Sequence, residues 1–257
     1  MGAVSPSAAP PALAAAPPAE RGWRPIFNGR DLAGWTPKVN HHPAGENWRD
    51  TFSVRDGVLR VSYAGYDRFT DEFAHLVYRR RLSRYRLRLE YRFTGPPAPG
   101  APAWAARNSG VMIHGQAAEA MALDQPYPIA VEAQLLGGDG AGERPTGNMC
   151  SPGTAVSIDG RPATEHCVSA RAPTFRDGEW VRFEVEVRGG RSVRQLVNGR
   201  EVMAYGDLRT APEEFKRFAN VDPGGAVAAP LTGGFISLQG EGSPVEFRRI
   251  ELKVLSR

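Results

Sequence analysis

Residues Tyr85–Phe93 read YRLRLEYRF. Tyr85, Leu87, Leu89, Tyr91 and Phe93 fall on one side of a period-2 pattern, and Arg86, Arg88, Glu90 and Arg92 on the other. Successive side chains of a strand point to opposite faces, so this pattern predicts a strand with one face on a core and a charged face in water. The stretch WVRFEVEVRG repeats the design, with Val181, Phe183, Val185 and Val187 facing in. Trp180, which opens it, is expected in the core.

Two turn signals fit the same picture. Asp56-Gly57 and Asn198-Gly199 each separate two apolar runs, as in tight hairpins. GGFISLQGEG and VEFRRIELKVL close the chain as two further strands. Helical periodicity is almost absent, the exception being a turn or two in APEEFKRFAN that Pro212 can start. Many short strands joined by Gly- and Pro-rich connections predict an all-β antiparallel sandwich or jelly roll.

Composition narrows the function classes. The 257 residues are enough for a sizeable core, and Gly 29 with Pro 22 indicates many turns. Lys+Arg 32 against Asp+Glu 28 leaves a net charge of +4, scattered along the chain. A nucleic-acid partner needs basic charge gathered on one face with aromatics between, and none is expected here. No apolar run approaches the ~20 residues that span a bilayer, so no membrane partner is expected either. Residues 1–20, MGAVSPSAAPPALAAAPPAE, are Ala/Pro-rich without Lys or Arg, and read as a disordered segment ahead of a single domain at 21–257. The two cysteines, Cys150 and Cys167, form no CxxC pair, and a structural disulfide in an oxidising compartment is the expectation. Oligomeric state is not legible.

Three strands carry a second face of another kind. In YPIAVEAQLLGG, Ile129, Val131, Ala133 and Leu135 share one face, and Ala130, Glu132, Gln134 and Leu136 the other. NSGVMIHG sets Ser109, Val111 and Ile113 against Asn108, Gly110, Met112 and His114. GGFISLQGEG sets Ile236 and Leu238 against Phe235, Ser237, Gln239 and Glu241. Planar amides, carboxylates and aromatic rings suit a sugar, which needs paired hydrogen bonds to hydroxyls and stacking on its C–H faces.

Those motifs, together with GWRPIFNGRDLAGW, TGNMCSPGT, DGEWVRFEVEVRG and LVNGREVMAY, occur in the order of the DUF1080 family, also called the 3-keto-disaccharide hydrolase domain. The resemblance covers residues 22–257. It implies a concanavalin A-like jelly-roll sandwich of two antiparallel sheets, a 3-keto-glycoside substrate, and a periplasmic or secreted protein. The family's NSG corresponds to Asn108-Ser109-Gly110, and its YE-Q strand to Val131-Glu132-Ala133-Gln134, with Val131 in place of the usual aromatic. His114 stands where many members carry Arg. TGNMCSPGT with HCVSA looks like a subgroup in which Cys150 and Cys167 recur together.

Glucanases of this fold place catalytic carboxylates on one strand as E-x-D-x-x-E, whereas this chain has EAQLLG and lacks the second carboxylate there. A 3-keto sugar does not require that pair. Its ketone acidifies the C2 proton, so a base can form an enolate, the C1 substituent leaves, and water adds back. Glu132 and His114 are the expected base and acid, in either order, with Arg107, Asn108, Gln134, Gln239 and Glu241 binding substrate. A divalent metal would also stabilise an enolate, but no ligand spacing among the five histidines is diagnostic. His75 reads as structural or exposed, and His166 as part of the disulfide loop. The alternative reading is a non-catalytic carbohydrate-binding module.

Overall fold

The computed structural model describes residues 21–256, so the expectation for residues 1–20 falls outside them. The chain forms two antiparallel sheets. The ten-stranded sheet runs β11 (Arg161–Pro162), β10 (Thr154–Ile158), β15 (Arg200–Thr210), β14 (Val193–Val197), β13 (Val181–Arg188), β6 (Arg84–Phe93), β17 (Val245–Val254), β4 (Val58–Val61) and β3 (Phe52–Arg55), with β1 (Arg24–Pro25) pairing to β17. The seven-stranded sheet runs β12 (Cys167–Val168), β9 (Asn148–Cys150), β8 (Val131–Leu136), β7 (Asn108–Gly115), β16 (Phe235–Gly240), β5 (Ala74–Tyr78) and β2 (Trp35–Val39). This is the expected jelly-roll sandwich.

Local sequence accounts for most of the element choices. β6 alternates half-buried and buried residues along its full length, as its period-2 pattern requires. Asp56-Gly57 and Asn198-Gly199 turn between β3 and β4 and between β14 and β15, with φ of 52° and 76° in the first and 49° and 81° in the second. Positive φ at both central residues gives the turn whose twist matches the flanking strands. The expected short helical piece is a 3-10 turn at Pro212–Glu214 running into α1 (Phe215–Ala219).

The core lies between the sheets. Tyr85, Leu87 and Leu89 of β6 and Phe183 and Val185 of β13 meet Val111, Val131, Ala133, Ile236 and Leu238 of the smaller sheet in one apolar cluster. Trp180 departs from expectation. It stands half-buried on the outer face of the larger sheet, with the guanidinium carbons of Arg92 and Arg248 4.5 and 3.9 Å from its ring centre. An indole there shields charged stems and gains cation–π attraction, which accounts for an aromatic residue on a solvated face.

Candidate functional site

The outer face of the smaller sheet is covered by loops. Register places its side chains in two rows. In one, Lys38, His75 and Gln239 stand opposite one another on β2, β5 and β16, while Gln134 and Asn148 do so on β8 and β9. In the other, Ser237, Met112, Glu132, Cys150 and Cys167 follow across β16, β7, β8, β9 and β12. Glu132 and Gln134 therefore share the face read from their spacing, and Val131, Ala133 and Leu135 fill the core behind them.

A cavity of about 310 Å³ opens on this face. Asn108, Glu132, Gln134 and Glu241 contribute its polar groups, and Trp104, Tyr127 and Phe218 its aromatic ones. Glu132 and Glu241 are both buried. Glu132 Oε1, Glu241 Oε2 and Asn108 Oδ1 have no hydrogen-bond partner among the described residues. Burial holds both carboxyls above the usual carboxylate range, and the Glu241 charge raises Glu132 further, while a hydrogen bond from Tyr127 acts on Glu241 in the opposite sense. No arginine or lysine among the described residues offsets either group, and a proton relieves the repulsion between the two buried charges. The two carboxyls line one cavity and interact, so their titration belongs to the pair.

Gly110 makes room for this arrangement. A β-carbon on Gly110 would come within 2.5 Å of Glu132 Oε1 and 2.8 Å of its Cγ. The Glu132 side chain therefore lies across β7 at a residue without a side chain. Next to it, Gln134 Oε1 accepts from Asn148 Nδ2 at 2.9 Å, and Asn148 Oδ1 accepts from the Ala170 backbone N–H at 2.8 Å. This chain fixes the amide plane of Gln134 and leaves its NH2 donors for a ligand. Gln239 is fully buried one strand beyond Gly110, with neither amide atom bonded, and does not line the cavity.

Two further expected site residues lie outside the cavity. Between β7 and β16 the register slips, so that Ile113 and His114 together oppose Ile236. His114 has φ of 54° at this bulge. One extra residue reverses the alternation. The His114 ring accordingly faces Tyr85, a core residue, at 6.2 Å, and its Nε2 donates to the Gly189 carbonyl at 3.2 Å. Burial lowers its pKa to about 4, leaving a neutral imidazole outside the cavity. Arg107 is the other. Its guanidinium forks onto the Asp177 carboxylate at 2.6 and 2.7 Å and does not line the cavity.

The cavity histidine is His166. Its ring lies parallel to that of Phe218 with centres 3.9 Å apart, and burial followed by the charge of Arg217 brings its pKa to about 4. Its Nδ1 is buried without a partner. It reaches this place because Cys167, the next residue, is bonded to Cys150, which stands opposite Glu132. The Ser151 backbone N–H also donates to the His166 carbonyl at 3.0 Å. The disulfide is thus present as expected, and both its cysteines line the cavity. His75 is structural, its ring fully buried and its Nε2 donating to the Pro126 carbonyl at 3.1 Å. No group of three or more His, Cys, Asp or Glu among the described residues is arranged to hold a metal ion. No helix among them is long and apolar enough to cross a membrane.

Fold and cavity together define a jelly-roll sandwich with a carboxyl-lined cavity on the outer face of the smaller sheet. The chain belongs to the 3-keto-alpha-glucoside-1,2-lyase-like domain family, whose model matches residues 22–253. None of the curated proteins matches it. Among solved structures, a candidate glycosyl hydrolase from Parabacteroides distasonis aligns at a TM-score of 0.55, with 21% identity over 91% of this chain and 95% of that one. A second candidate glycosyl hydrolase from the same organism aligns at 0.50, with 20% identity over 91% and 99% of the two chains. At these identities the likeness establishes the fold alone.

Proposed function

We propose that this protein cleaves the glycosidic bond of 3-keto-glycosides by elimination across C1 and C2, followed by hydration. The observation that carries this reading is the buried Glu132–Glu241 pair, two carboxyls without a counter-ion on one cavity. In the working state one is ionised and the other protonated. The ionised member takes the C2 proton that the C3 ketone has acidified, and the C2–H electrons form the enolate. When the enolate collapses, C1=C2 forms, the C1–O bond breaks, and the departing oxygen takes a proton from the other carboxyl of the pair. Addition of water across C1=C2 then releases the free keto sugar, so that the sum of the two steps is hydrolysis.

The surrounding groups suit each demand. Asn108 and Gln134 offer amide donors to the enolate oxygen, which gains charge only as the proton leaves. Trp104 is 53% exposed at the cavity mouth and stacks at 16° on Phe73, giving an apolar plate for a sugar ring. The family description, a 3-keto-alpha-glucoside-1,2-lyase-like domain, supports this chemistry. We also propose that the protein works in an oxidising compartment such as the periplasm, as the Cys150–Cys167 bond suggests.

Incubation with a 3-keto-disaccharide and with its unoxidised parent tests the reaction. Release of the second sugar from the keto substrate alone is expected. Binding of both without turnover of either would overturn it in favour of a carbohydrate-binding module.

A further inference from the structure

A histidine outside the cavity joins two loops that build its aromatic wall. His41 follows β2, exposed and at a backbone φ of 69°. Its Nδ1 lies 2.7 Å from Asp124 Oδ1, and its Nε2 lies 2.8 Å from Asp71 Oδ1. A neutral imidazole has one N–H and satisfies one of these carboxylates, so bonding both requires the imidazolium. The hydrogen bond to Asp124 raises the His41 pKa most, burial opposes it, and Asp71 adds to the rise.

The groups about the ring reinforce the junction. Lys38, buried on β2, donates to the Leu123 carbonyl at 3.0 Å, and the His41 backbone N–H donates to the same oxygen at 2.9 Å. Burial lowers the Lys38 pKa to about 8, with the Asp124 charge opposing. Asn40 Nδ2, 3.1 Å from His41 Nε2, donates to the Asp71 carbonyl at 3.1 Å, and Glu72 turns back onto Thr70. Beyond α1, Asn220 Nδ2 donates to the Asp124 carbonyl at 3.1 Å and its Oδ1 accepts from Lys216. His42 turns away to Glu46.

Both anchors lead into the cavity. Shortly after Asp71, the Phe73 ring packs against Tyr127 and Trp104, with 4.9 and 5.8 Å between ring centres. Shortly after Asp124 comes Tyr127 itself, whose hydroxyl donates to Glu241. Burial brings the Glu241 pKa up to about 8, and the bond from Tyr127 holds it from rising further.

We propose that His41 is a positioning residue: by clasping Asp71 and Asp124 it fixes the loops that pack Phe73 on Tyr127, and so keeps the Tyr127 hydroxyl on Glu241. On the elimination reading this bond sets the proton balance of the carboxyl pair during turnover, and the clasp itself can be tested without substrate.

The test is titration of the Glu241 carboxyl carbon by NMR in carbon-13 glutamate-labelled protein, with the signal assigned through Glu241→Gln. Asparagine tolerates a left-handed backbone, so His41→Asn removes the imidazolium without adding strain. The apparent Glu241 midpoint is expected to rise by about one pH unit in His41→Asn, as the bond from Tyr127 loosens. Asp124→Ala, at an exposed position, should raise it in the same sense. Tyr127→Phe should raise it too, and His41→Asn added to Tyr127→Phe should raise it no further, because the route is already gone. Turnover of a 3-keto-disaccharide by His41→Asn should show its rising pH limb displaced by the same amount. A wild type that cleaves no keto-glycoside refutes the elimination reading, and the titration still decides the clasp. A Glu241 midpoint that neither His41→Asn nor Asp124→Ala moves, or shifts that add in the double variant, would overturn it.

Discussion

The two sheets turn very different outer faces to their surroundings. On the larger sheet the central strands β13, β6 and β17 are laced by ion pairs. Arg88 meets Glu251 at 2.7 Å, Arg92 meets Glu246 at 2.8 Å, Arg248 meets Glu90 at 2.6 Å, and Arg86 meets Glu184. On the smaller sheet the polar groups are deeper, and several atoms lack partners among the described residues: Glu132 Oε1, Glu241 Oε2, Asn108 Oδ1 and both amide atoms of Gln239. Charges that neutralise one another hold strands together and have no capacity left for a ligand. Buried polar groups left unsatisfied cost stability, and folds retain them where they act on something else.

This contrast is broken hardest at Glu132. Glu132→Gln is expected to lower kcat by about a hundred- to ten-thousand-fold while substrate binding persists, read by steady-state kinetics beside calorimetric titration. The same variant tests the cost of burial. A carboxyl whose folded pKa is raised contributes stability that is complete below its unfolded pKa and is lost as pH rises through the folded value. Glu132→Gln is therefore expected to unfold at higher denaturant than wild type at neutral pH, with the difference vanishing as pH falls below the ordinary carboxylate value of 4.5. An equal offset at all pH values would contradict a raised pKa. The rate of the wild-type enzyme should rise with pH along a limb displaced above that ordinary value and belonging to the pair as a whole.

Gly110→Ala sharpens the comparison next. The new methyl must push Glu132 aside, and a misplacement of this size costs about a hundredfold in rate. The measurement is kcat, with circular dichroism confirming that the strand pairing survives. A smaller effect on activity is expected from Cys150→Ser/Cys167→Ser. Loss of the bond should cost about 3 kcal/mol of stability and loosen His166, so KM rises more than kcat falls. On the opposite face, Glu246→Gln removes a partner of Arg60 and Arg92. It should change stability by about 1 kcal/mol and leave activity unaltered, as thermal unfolding and turnover together will show.

The same contrast explains what the sequence made legible. Period-2 alternation gave away the charged face of β6 and the polar face of β8, because both strands are regular and each property depends only on nearest neighbours along the chain. His114 lies outside the cavity because a single bulge residue with positive φ inverts every face after it, and nothing in NSGVMIHG marks the insertion. Arg107 lies outside it for another reason. Its partner, Asp177, is 70 residues away, and an arginine already paired reads in sequence like a free one. The second carboxylate, absent from the strand of Glu132, arrives from the end of β16 as Glu241, a pairing that only the sheet order 8-7-16 creates. His166 did carry a signal: it precedes a cysteine whose partner lies 17 residues back, beside the strand of Glu132.

The account's central claim is that the C2–H bond breaks before the glycosidic bond does. Carrying deuterium at C2 of the 3-keto sugar and following it by mass spectrometry tests this directly, with Glu132→Gln and protein-free samples correcting for spontaneous exchange. The account predicts that each cleavage event removes the C2 deuterium. Cleavage that leaves the label in place would mean direct displacement at C1, and would contradict it.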